Sequence, residues 1–226
     1  MSNIILKVTS LTVDYKSNNS FLFPWEKTKT FRAVEDINFE LNEGETLGIV
    51  GETGSGKSTI AKAVINLLKV SSGKILFQSN QIANLDEKKM RNYRKEIQMI
   101  FQDPLASLNP RMNVGEIISE PLKAHYPNLT KNEIKYQVQD IMSNVGLLSN
   151  QINRYPHEFS GGQCQRIGIA RSLILKPKLI ICDEPVSSLD VSIQAQVINL
   201  LKELQEKFKL TYLFITHDLN IAKHMS

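Results

Sequence analysis

Three short apolar runs constrain the fold more than any other feature of the chain: TLGIV at residues 46–50, LIIC at residues 179–182 and YLFI at residues 212–215. Runs of this length that are apolar on both faces read as strands of a parallel sheet buried on both sides. Each one stops at polar groups able to meet a ligand: a glycine loop from Gly51, the pair Asp183 and Glu184, and Thr216 with His217. Open parallel sheets take their ligands at the carboxyl ends of the strands, so these endings point to one shared site. Helical patterns follow at residues 58–68 and 193–208, where Val197, Leu201, Leu204 and Phe208 form a single stripe that reads as core packing.

Before Gly44 the pattern changes. Residues 4–15 and 32–41 are strand-like pieces of the antiparallel kind, and between them lies KSNNSFLFPWEKTKTF with the sole tryptophan, Trp25. That stretch reads as a hairpin insertion packed on its own sheet, or else as an apolar tip that touches a partner. From Pro104 to Glu158 the signals turn helical, punctuated by Pro110, Pro121 and Pro127. The expected fold class is α/β: a core with a mostly parallel sheet at residues 1–103 and 167–226, which includes an N-terminal antiparallel β-subdomain, and an inserted helical subdomain at 104–166.

Composition excludes several classes. A chain of 226 residues with 42% hydrophobic and 22% charged residues has room for one substantial core, and is neither disordered nor fibrous. The net charge of +4, from 27 basic against 23 acidic residues, is a mild excess that solubility accounts for without a nucleic-acid partner. The densest basic stretch, Lys88, Lys89, Arg91, Arg94 and Lys95, reads first as a solvated face and second as a phosphate or partner contact. The two cysteines, Cys164 and Cys182, make no disulfide framework and no metal-ligand spacing, so free thiols in a reducing compartment are expected. The start MSNIILKV lacks the apolar core of a signal peptide. No run approaches the roughly eighteen apolar residues that span a bilayer, so work at a membrane requires docking onto a separate subunit.

The segment Gly51, Glu52, Thr53, Gly54, Ser55, Gly56, Lys57, Ser58, followed by Thr59, fits the phosphate-binding P-loop, and it sits between an apolar strand and a helix as that motif requires. Glycines let backbone N–H groups turn toward phosphate oxygens, and the helix start adds a favourable dipole. Lys57 can reach the terminal phosphates of ATP, and Ser58 can ligate Mg2+. The run ending in Asp183 and Glu184 delivers two carboxylates to a strand end, where successive residues face opposite ways. Asp183 is thereby assigned to the magnesium shell and Glu184 to polarising an attacking water.

The text FSGGQCQR contains a second small-residue helix start, Ser160, Gly161, Gly162, Gln163, which is a second anion site by the same physics. This core resembles the signature motif of ABC ATPases, in which the signature of one subunit closes over the P-loop of another. The resemblance extends over nearly the whole chain, through IQMIFQDPLASLNPRM, RYPHEFSGGQCQRIGIARSLILKPKLIICDEPVSSLDVSIQAQV and ITHDL, and is strongest to ATPases of the oligopeptide, dipeptide and nickel importer group. It implies that Gln102 is the Q-loop glutamine near magnesium and water. It assigns Ser188, Leu189 and Asp190 to the D-loop at the dimer interface, and makes His217 the switch histidine that contacts the terminal phosphate. Tyr15 is the first candidate to stack on adenine and Phe31 the second. Phe159 stands where other ABC signatures have leucine, as is ordinary in this group.

The resemblance further implies an ATPase on the cytoplasmic face of the membrane. It would pair with a sister or identical ATPase subunit and drive two membrane permeases, fed by an extracytoplasmic solute-binding protein. Family members continue beyond the equivalent of Ser226 through further strands and a C-terminal extension, so a shortened form is expected. A soluble ABC ATPase of translation or repair is the first competing reading, but those resemble tandem duplications or carry coiled-coil insertions absent here. A non-hydrolysing regulatory partner is the second, which loss of Glu184 or His217 would have marked.

Overall fold

Alternating apolar side chains near the amino terminus make the strand β1 (Ile4–Lys16), with Leu6, Val8, Leu11 and Val13 all buried. Strict period-2 alternation would turn Leu11 and Val13 outward after Leu6 and Val8. A register shift between Val8 and Leu11, with Ser10 at φ 47°, inserts the extra residue that returns them to the buried face. β1 pairs antiparallel with β2 (Thr30–Asn42) and with β4 (Ser72–Phe77), and the two-residue β5 (Asn80–Gln81) completes a sheet ordered β2-β1-β4-β5. Gly73 of β4, at φ 100°, fits against the bulge: a Cβ there would lie 2.4 Å from the Ser10 carbonyl oxygen. The computed structural model describes residues 3–16 and 30–226, so the insertion expected around Trp25 lies outside the described residues.

The second sheet is parallel, with order β3-β8-β7-β6 from β3 (Thr46–Val50), β6 (Ile97–Ile100), β7 (Leu179–Asp183) and β8 (Thr211–Thr216). Every residue of β7 and β8 is buried, as their unbroken apolar character requires. β3 corrects the expectation for the first apolar run. It is only half-buried, because among the described residues it is an edge strand paired with β8 alone.

The helices are α1 (Lys57–Val64), α2 (Glu87–Arg94), α3 (Pro104–Ser107), α4 (Val114–His125), α5 (Lys131–Asn144), α6 (Gly161–Leu173), α7 (Val191–Phe208) and α8 (Leu219–Met225). α1 is shorter than its apolar pattern: Ile65 caps it and Asn66, at φ 58°, turns the chain out of the helix, leaving Leu67 exposed. α4 runs through Pro121 rather than stopping there. A proline inside a helix forfeits one backbone bond. The buried face of Val114, Ile117, Ile118 and Leu122 and a full capping box between Asn113 and Glu116 hold this helix together.

The chain divides into two compact units, Met1–Glu43 with Gly51–Met90, and Gly44–Val50 with Arg91–Ser226. The first contains the antiparallel sheet and α1. The second contains the parallel sheet and α3 to α8, which share one apolar core including Ile117, Met142, Ile167, Ile180, Leu201 and Phe214. α6 continues unbroken past residue 166, where the sequence put the end of the helical lobe. No described helix is long and apolar enough to cross a membrane.

Candidate nucleotide site

In the first unit, residues 51–58 form a tight loop that enters α1 at Lys57. Gly54 and Gly56 take φ of 85° and 93°, the left-handed region that glycine occupies without penalty. At Gly56 the requirement is double, because a Cβ would fall 2.5 Å from the Ala33 carbonyl oxygen of β2. The buried Lys57 ammonium donates to the carbonyls of Gly51 and Glu52, each at 2.7 Å, which folds the loop around its own cation. The first turn of α1 has no acidic side chain, so the positive end of the helix dipole is not offset there. Left-handed glycines, a buried cation and an open helix start fit the phosphates of a nucleotide.

Tyr15 of β1 and Phe31 of β2 are direct cross-strand partners, so both aromatic candidates share one face of the sheet. They differ in how they are held. Tyr15 is 38% exposed with its hydroxyl 3.3 Å from the Thr59 hydroxyl of α1, whereas Phe31 is 68% exposed. The hydroxyl contact ties Tyr15 to the helix that begins at the loop.

In the second unit, β7 ends at Asp183, which is buried. Glu184 is also buried but lies past the strand at φ 48°, so a left-handed turn and not strand alternation sets the course of its backbone. A non-glycine residue held in that region is strained, and such strain is tolerated where it aims a functional group. The Glu184 N–H still donates to the Ile215 carbonyl at 2.9 Å, which anchors the turn to β8. Its carboxylate oxygen Oε2 accepts from Gln102 Nε2 at 3.3 Å and lies 3.2 Å from His217 Nδ1. His217 itself is 53% exposed, at the end of β8.

Ser160 caps α6 with a reciprocal box: its hydroxyl accepts from the Gln163 N–H at 3.4 Å while Gln163 Oε1 accepts from the Ser160 N–H at 3.0 Å. The glycine pair behind it is consumed by packing. A Cβ on Gly161 would meet Leu189 at 3.4 Å, and one on Gly162 would sit 2.5 Å from Ile193 Cγ2. The start of α6 therefore lies directly against residues 189–193, and Asp190 caps α7 with its side chain making no cap hydrogen bond. Among the expected residues of this unit, Glu184 is brought into contact with both Gln102 and His217, and Gly161 lies beside Leu189.

The sequence did not single out Arg171 and Ser172 of α6, which bond to backbone on both sides of Gln102. No local pattern marks them: Ser172 is buried and Arg171 half-buried on a helix that also carries Gln163, Gln165 and Arg166. Both cysteines are free and buried, and burial pushes each thiol upward, most strongly at Cys182, so both are poor nucleophiles. Among the described residues no group of three His, Cys, Asp or Glu side chains is arranged around a metal position. A magnesium ion carried by nucleotide phosphates needs only one or two protein oxygens, and Ser58 and Asp183 have that chemistry.

Comparison with known proteins places the chain in a family. Residues 34–187 match the family described as ABC transporter. The oligopeptide transport ATP-binding protein OppF of Haemophilus influenzae is 58% identical over 223 residues, covering 99% of this chain and 67% of that protein. OppF of Escherichia coli is 54% identical over the same shares. A solved dimeric, post-hydrolysis state of an ATP-binding cassette bound to ADP and Pi aligns with a TM-score of 0.84 at 28% identity, covering 97% of this chain and 91% of that one. The cbiO1 structure from Clostridium perfringens aligns at 0.80 with 31% identity, over 97% of this chain and 80% of that one. With a glycine loop built for phosphate and a family match over most of its length, the chain belongs to the ABC transporter family, as one of its ATP-binding cassettes.

Proposed function

We propose that this cassette hydrolyses ATP to drive the uptake of peptides or related small solutes through separate permease subunits. The observation that carries the reading is the buried Glu184 carboxylate, held between Gln102 and His217. Hydrolysis of a phosphoanhydride needs little covalent chemistry from the protein beyond positioning and charge stabilisation. Residues 51–59 hold the triphosphate, with Lys57 leaving its loop carbonyls for the terminal phosphates, and Tyr15 supports the base. Glu184 takes a proton from the attacking water, Gln102 orients that water, and His217 steadies the terminal phosphate. Magnesium, when bound with the nucleotide, neutralises charge on the phosphate oxygens, and Ser58, Gln102 and Asp183 are the groups that would hold it and its waters.

Residues 160–163, beside Asp190, serve a nucleotide held by a second cassette, either a copy of this chain or a sister subunit. The dimeric form of the related cassette supports this. Identity to oligopeptide transport ATP-binding proteins supports peptide cargo; in this reading the cassette is peripheral on the cytoplasmic face and works with two permeases and a solute-binding protein. The test is uptake of a labelled oligopeptide by cells carrying the permeases and either this chain or its Glu184→Gln variant. Uptake with the first and none with the second is expected. Equal uptake by both, or uptake without the chain, overturns the reading.

A further inference from the structure

α6 begins at the Ser160 cap and, about three turns or roughly 16 Å later, presents Arg171 and Ser172. Arg171 Nη1 donates to the Ser107 carbonyl at 2.6 Å, and the buried Ser172 hydroxyl lies 3.1 Å from the Met99 carbonyl and 3.0 Å from that of Gly168. Met99 belongs to β6 and Ser107 closes α3, so the two carbonyls bracket Gln102. α3 is a single rigid turn: Asp103 caps it through the Ala106 N–H at 3.0 Å, and the Ser107 N–H returns to the Asp103 carbonyl at 3.1 Å. Fixing Ser107 therefore fixes the residue that follows Gln102.

A half-buried guanidinium is an expensive way to join two helices. Apolar side chains would pack α6 on α3 without the desolvation cost, whereas a guanidinium sets one geometry for the carbonyl it holds. We propose that Arg171 is a positioning residue that couples the Ser160 helix start to the Gln102–Glu184 contact. A displacement of α6 when Ser160 engages a nucleotide is passed through Arg171 to α3 and to Gln102. The proposal rests on the hydrolytic role of Glu184 given above.

The test measures MgATP hydrolysis and ATP affinity of the full chain as wild type, Arg171→Met, Arg171→Lys, Gln102→Ala, the double variant Arg171→Met with Gln102→Ala, and Glu184→Gln. Arg171→Met is expected to lower kcat about tenfold with KM and ATP affinity unchanged, the scale of a small misplacement of catalytic groups. Arg171→Lys, which keeps a donor, should recover most of the rate. In the Gln102→Ala background Arg171→Met should cost nothing more, because residues acting through one another are not additive. Additive losses, a loss in KM alone, or a wild-type rate for Arg171→Met overturn the proposal. If Arg171→Met does not fold, Arg171→Gln, whose shorter amide does not reach the Ser107 carbonyl, takes its place in the same cycle, and additivity there overturns the proposal equally. A Glu184→Gln protein with the wild-type rate defeats the hydrolytic reading instead, so the two failures are distinguishable.

Discussion

His217 Nδ1 stands 3.2 Å from Glu184 Oε2, the same oxygen that accepts the Gln102 amide from 82 residues away in sequence. One carboxylate oxygen thus joins the ends of three strands, since Gln102 follows β6, Glu184 follows β7 and His217 follows β8. A carboxylate shared in this way responds to changes at either neighbour.

Glu184→Gln preserves the shape and the hydrogen-bonding capacity of that centre but cannot accept a proton. Turnover should fall by about 10²–10⁴-fold while ATP still binds, the usual contribution of a general base. Sedimentation with MgATP should then show a dimer that wild type does not accumulate and that ADP does not support. A monomer under all conditions, alone and beside a sister cassette, would count against shared sites.

Lys57→Ala removes the cation that the loop carbonyls of Gly51 and Glu52 now hold. Calorimetric titration should show most MgATP affinity lost, because charge-assisted contacts to phosphate are among the strongest available. Unchanged binding would exclude the loop as the phosphate site.

The cross-strand pair separates cleanly by substitution. Tyr15→Ala should weaken ATP binding by about 1–3 kcal/mol, the worth of one base stacked on an aromatic ring. Tyr15→Trp should be tolerated, and Tyr15→Phe, which gives up only the Thr59 contact, should lose less than Tyr15→Ala. A loss from Phe31→Ala with none from Tyr15→Ala would assign the stacking to Phe31.

Two glycines of the loop should respond differently to a methyl group. Gly56→Ala meets both a positive φ and a carbonyl at 2.5 Å, while Gly54→Ala meets a positive φ with nothing within 4 Å. Denaturant unfolding should show about 1–2 kcal/mol lost for Gly54→Ala, the cost of the left-handed region alone, and more for Gly56→Ala. Equal losses would mean that the approach to Ala33 relaxes freely.

The sequence by itself determined which residues are candidates to carry chemistry, because phosphate binding and proton transfer demand particular side chains at particular spacings. The loop from Gly51, the carboxylates at 183 and 184 and the SGGQ helix start are local patterns, each complete within a few residues. Fully buried strands such as β7 and β8 were legible for a related reason: a strand covered on both faces must be apolar throughout. Tertiary structure decided what local pattern cannot encode. Whether β3 is buried depends on its place at the sheet edge, and whether Leu11 faces inward depends on a bulge whose register is set by β2. The left-handed turn at Glu184 is imposed by its bond to Ile215. The bonds from Arg171 and Ser172 to either side of Gln102 exist only because α6 packs against β6 and α3, contacts between segments far apart in sequence whose geometry no spacing rule contains.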